Sequence, residues 1–99
     1  DAFQSVSVEL SAVDRERLLA ILHDLVQAHT IYRIKGFVAL PGKPMRLVVH
    51  GVGRRFDSYF DRRWLADEMP RTRLVLIGED LDASALAAAL AVAEAVETA

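Results

Sequence analysis

The chain has 99 residues, a net charge of -2 and no cysteine, which suits one domain with a modest core and leaves no room for a second. Without cysteine, disulfides, thiolate zinc sites and cysteine nucleophiles are excluded. No apolar run approaches the roughly 20 residues that cross a bilayer, and the N-terminus lacks a charged stretch leading into an apolar one, so the expectation is a cytoplasmic chain.

The sequence opens Asp-Ala-Phe with no initiator methionine and is expected to be a piece of a longer protein. Its charge is unevenly spread. From Tyr32 to Arg73 there are ten Lys and Arg against four Asp and Glu, a balance of +6 that leaves -8 for the two flanks. Such a basic stretch reads either as solvated surface or as a contact face for an acidic partner.

In chain order, Phe3 to Leu10 alternates Val6, Val8 and Leu10 with Ser5, Ser7 and Glu9, the period of a half-buried strand. Ser11 and Asp14 offer caps for a helix in which Leu18, Ile21, Leu22 and Leu25 recur at three- and four-residue steps, ending near His29. Ile31 to Leu40 is the second strand, and Leu-Pro-Gly-Lys-Pro turns the chain into a third, Met45 to Val52. Gly51 and Gly53 predict a bend or bulge. Arg55 to Asp61 is a fourth strand, placed at an edge by its charges. A polar loop carrying Trp64 and Pro70 leads to Thr72 to Ile77, a fifth strand whose consecutive apolar positions place it centrally. Asp82 or Ser84 caps a last helix with an apolar face of Leu86, Leu90 and Val96.

The order β-α-β-β-β-β-α predicts an α+β domain: a mixed sheet with two helices packed on one face, of ferredoxin-like character. Alternation then sorts the side chains. Tyr32, Ile34, Val38, Leu47, Val49, Phe56 and Phe60 are expected to meet the helices. Ile31, Arg33, Lys35, Phe37, Arg46, His50 and Tyr59 are expected on the opposite, open side, with either Val75 and Ile77 or Leu74 and Leu76 beside them. A face that apolar is poorly suited to bare water, so it is the expected interaction face.

No catalytic constellation emerges. Gly42-Lys43 resembles a phosphate loop, but Pro44 stands where a hydroxyl should hold Mg²⁺ and no glycine sits five residues before Gly42. Lys35-Gly36-Phe37-Val38 partly resembles the first motif of RNA-recognition folds, with Ala39 where a second stacking ring belongs. RNA binding is therefore an unfavoured alternative. His23 and His29 are six apart on a helix and His50 lies on a strand, so metal-ligand spacing is missing. The acidic pairs Asp67-Glu68 and Glu79-Asp80 read as solubilising or capping groups, and the serines have no neighbouring base or glycine-rich elbow.

Tyr32 to Trp64 and Arg71 to Asp82, with the Arg33-x-Lys35-Gly36-Phe37 core, the Leu74 to Gly78 strand and the Arg54 to Arg62 segment, resemble the C-terminal domain of the CobW family of P-loop GTPases, which act as metal chaperones or metal-centre insertases. The Arg54 to Arg62 segment resembles the cobalamin-biosynthesis member. The resemblance implies a parent whose N-terminal domain binds GTP and Mg²⁺ and holds cobalt or zinc at a Cys-x-Cys-Cys motif, none of whose residues lies in this chain. It implies a non-catalytic interaction or regulatory module, with no metal or cofactor site of its own. Its implied partners are the N-terminal GTPase domain, a second copy, or a client such as cobaltochelatase; zinc delivery by the same family is the alternative to cobalt delivery.

Overall fold

The computed structural model describes residues 3–96 and orders the elements as β1 (Gln4–Leu10), α1 (Arg15–Ala28), β2 (Thr30–Val38), β3 (Met45–Val52), β4 (Arg55–Arg63), β5 (Thr72–Glu79) and α2 (Ala83–Ala91). The five strands form one sheet in the order β1-β5-β2-β3-β4, so the α+β class and the element order are those read from the sequence. The sheet is antiparallel rather than the mixed one expected, because β5 separates β1 and β2, the two strands that the intervening helix would otherwise set side by side in parallel. Every paired neighbour in the sheet is antiparallel.

Local chemistry explains the boundaries. Asp14 caps α1 by accepting from the Arg17 backbone N–H at 2.9 Å, and Asp82 caps α2 through the Ala85 N–H at 3.1 Å, each satisfying a donor that the first helical turn cannot. Pro41 and Gly42 form the turn after β2, with Gly42 at φ 70° and Lys43 N–H bonded to the Leu40 carbonyl at 3.2 Å. Gly53, at φ 59°, opens the two-residue turn between β3 and β4, a position where glycine matches the twist of the flanking strands.

Leu18, Leu22 and Leu25 of α1 and Leu86 and Leu90 of α2 are buried, together with Val6, Val8, Ile34, Val38, Leu47, Val49, Leu74 and Leu76 from the strands. Burying each large aliphatic side chain stabilises by roughly 1.5–3 kcal/mol. Thr72 is the one fully enclosed polar residue described, and its Oγ1 accepts from the Ala39 N–H at 3.1 Å.

Three side-chain placements change as well. Tyr32 does not join the core: a register shift between Ile31 and Arg33 places Ile31 inside and leaves Tyr32 42% exposed, because a bulge adds one residue to one strand only. Its hydroxyl donates to Glu79, and its ring meets Phe3 edge-on at 5.5 Å. Phe60 lies on the same side as Leu47 but is exposed; it sits on an edge strand, with the Arg15 guanidinium 5.9 Å from its ring centroid. Val96 lies beyond α2 and is 81% exposed; Ala93 is the buried residue there. After Ala91 the chain folds back along the β1–α1 connection. The Glu94 carboxylate accepts from Ser11 N–H at 3.0 Å and Ser11 Oγ at 2.9 Å, and Ala95 N–H bonds Ala12 O at 2.8 Å.

Two glycines permit the central pairing. A Cβ on Gly36 would fall 2.1 Å from the Arg73 carbonyl oxygen, and one on Gly78 would fall 2.0 Å from that of Thr30. Gly36→Ala and Gly78→Ala are each expected to destabilise the domain by about 1–3 kcal/mol or more, because backbone rather than a flexible side chain must yield; urea unfolding measures this. Thr72→Val strands the enclosed Ala39 N–H and is expected to cost about 1–3 kcal/mol in the same assay.

Candidate interaction face

With both helices on one side, the other side of the sheet is laid out in cross-strand rows. One runs Glu9, Arg73, Phe37, Val48, Tyr59; the next Ser7, Val75, Lys35, His50, Asp57; a third Ser5, Ile77, Arg33, Val52, Arg55. Strands about 4.8 Å apart, with same-face residues roughly 6.8 Å apart along each strand, make this a continuous tiled surface. The six residues singled out from the sequence, Arg33, Lys35, Phe37, Arg46, His50 and Tyr59, all lie on it.

They are not equivalent. Lys35, Phe37, His50 and Tyr59 line a groove of about 350 Å³ together with Val48 and Val75. Phe37 is 39% and Tyr59 56% exposed. Arg33 stands one row away, outside the groove. Arg46 is already engaged: its guanidinium lies 3.7 Å from the Phe37 ring centroid and binds the Asp61 carboxylate through Nε at 3.1 Å and Nη2 at 2.5 Å. That pairing holds the Asp61 carboxyl below the usual carboxylate range. The arrangement fixes the Phe37 ring and covers one of its faces, removing a surface on which a nucleobase would stack.

Arg73 and Val75 complete the groove and were not singled out from the sequence. The pattern of β5 left open which alternate set faced outward, and Arg73 shares its parity with Val75. The histidines stay apart in role. His23 packs edge-on against Phe56 with centroids at 4.6 Å, His29 caps α1, and His50 lies in the groove. Among the described residues no group of three or more His, Cys, Asp or Glu side chains is placed to hold a metal ion, and no helix is long and apolar enough to cross a membrane.

The family model "Cobalamin synthesis protein cobW C-terminal domain" matches residues 3–94. The chain belongs to the CobW C-terminal domain family. It is 59% identical over 83 residues to the protein named "Zinc chaperone CobW" of Pseudomonas aeruginosa, covering 84% of this chain and 22% of that protein. It is 45% identical over 92 residues to the protein of the same name from Sinorhizobium sp, covering 91% and 26%. The crystal structure of the Zn(II)-bound YjiA GTPase from E. coli superposes with a TM-score of 0.83 at 31% identity, over 96% of this chain and 30% of that one. The chain thus spans about a quarter of the length of these relatives.

In this CobW C-terminal domain the loop after β4 is held by charge. Arg62 binds Glu68 with two bonds of 2.9 Å, and Glu68 also accepts from the Leu65 N–H at 2.9 Å. Glu68 is therefore a structural clasp as well as a solubilising acid. The Arg62 guanidinium, then the Leu65 N–H, lower its carboxyl pKa from 4.5 to about 2. A carboxyl depressed in the folded state contributes stability above its unfolded pKa and loses it as pH falls through the folded value. The clasp should therefore be intact above about pH 4.5 and open as pH drops toward 2. Arg62→Gln is expected to return Glu68 titration toward 4.5, read from its side-chain carboxyl resonance in an NMR titration.

Proposed function

We propose that this domain is the non-catalytic C-terminal accessory module of a cytoplasmic GTPase that delivers zinc, and that it turns its open sheet face toward the GTPase domain of the same polypeptide. The observation that carries the reading is the face itself, in a chain of the CobW C-terminal family. It combines exposed Phe37 and Tyr59 with Arg33 and Lys35, for which no ion pair occurs among the described residues. Exposed apolar area rimmed by charge belongs to a surface that meets a partner. GTP, Mg²⁺ and the transported metal belong to the GTPase portion of the parent. These 99 residues contain neither a phosphate-loop pattern nor a cysteine that could hold them.

Zinc as cargo is supported by the names of three relatives, the two CobW proteins and YjiA of Escherichia coli, each called a zinc chaperone. Cobalt delivery to a cobaltochelatase is the second reading, favoured by the Arg54 to Arg62 segment and by the family's cobalamin-synthesis description. Metal analysis of the intact protein purified without chelator separates them: stoichiometric zinc supports the first, and cobalt in its place overturns it.

The accessory role is tested in the full-length protein with Arg33→Glu combined with Lys35→Glu. Both side chains are exposed, so the thermal midpoint should hold while metal transfer to an acceptor falls roughly tenfold, equivalent to about 1.4 kcal/mol of contact energy. Unchanged metal transfer would sink the contact-face reading.

A further inference from the structure

We propose that the groove between Phe37 and Tyr59 docks a short acidic peptide segment carrying one apolar anchor side chain. This deepens the contact-face reading and rests on it. The groove's lining is largely apolar, with Phe37, Val48, Tyr59 and Val75 contributing its hydrophobic surface. A volume of about 350 Å³ admits an aliphatic or aromatic side chain, and burying that side chain supplies the attraction.

Charge selects what flanks the anchor. Lys35 and Arg73 stand on adjacent strands along one side of the groove. Lys35 has no ion pair among the described residues, and the Arg73–Glu9 contact, at 3.3 Å between exposed groups, is the kind of surface pair that contributes little and exchanges readily. Arg33, one row away, extends the basic field. Carboxylates beside the anchor therefore meet available cations, whereas a basic segment is repelled. Base stacking is the poorer fit, because Arg46 already covers one face of Phe37.

The test is titration of the ¹⁵N-labelled chain with a blocked hexapeptide alternating glutamate and leucine, followed in amide spectra. Lysine–leucine and glutamate–serine hexapeptides and an oligouridylate serve as comparators. The glutamate–leucine peptide should shift the amides of Lys35, Phe37, Val48 and His50 saturably. Lys35→Glu with Arg73→Glu, and separately Tyr59→Ser, should each weaken binding roughly tenfold with the thermal midpoint retained. The proposal is overturned by any of four results: no saturable shift, an equal response to the glutamate–serine peptide, tighter binding of oligouridylate, or self-association of the chain that the charge reversal abolishes. Peptide binding that survives alongside normal metal transfer by the Arg33→Glu, Lys35→Glu full-length protein would leave the groove standing and remove only the accessory role.

Discussion

Everything in this domain depends on β5 lying between β1 and β2. The strand made last in the sheet must pair on both edges at once, Leu74 against Val8 on one side and Gly36 on the other. Its carbonyls and those of its neighbours pass so close to Gly36 and Gly78 that no side chain fits there. Two positions without a Cβ thus decide whether the sheet closes. Once it does, Leu74 and Leu76 are committed to the helices, and Arg73, Val75 and Ile77 are committed to the opposite surface, because side chains alternate along a strand.

That commitment separates the molecule into a sealed side and an available one. Beneath the helices, leucines and valines pack without polar interruption save Thr72, whose hydroxyl is matched to a backbone N–H. On the open side the same alternation sets Phe37, Val48 and Tyr59 in one row and Lys35 and His50 in the next, so the groove is a product of cross-strand register. Shifting one strand by one residue would send its share of the groove into the core.

Electrostatics then sorts the basic residues into two kinds. Arg46 and Arg62 are spent on structure, one stacked on Phe37 and tied to Asp61, the other clasping Glu68. Arg33 and Lys35 have no such carboxylate among the described residues, and Arg73 is held loosely by Glu9. The +6 charge of the middle of the chain is therefore partly consumed internally, while Lys35 and Arg73 line the groove and Arg33 stands one row away. Neutralised arginines order the surface, while free cations give it a preference among partners.

Much of this was legible residue by residue. Period-two alternation marked β1, β3 and the open-face set, three- and four-residue spacing marked α1, and Asp14, Asp82 and the Pro41–Gly42 turn carried their roles in their chemistry. The exceptions are instructive. Tyr32 and Ile31 exchanged places because a bulge is a property of a strand pair, and Phe60 stayed exposed because an edge strand outruns the helices that would cover it. Val96 fell outside α2 because Glu94 found Ser11 far away in the sequence. By itself the sequence determined which side chains share a face, since that follows from local geometry. Only the tertiary structure decided which strands are neighbours, and hence that Arg73 and Val75 complete the groove and that Arg46 is already taken, because strand pairing and ion pairing join residues whose separation along the chain carries no local signal.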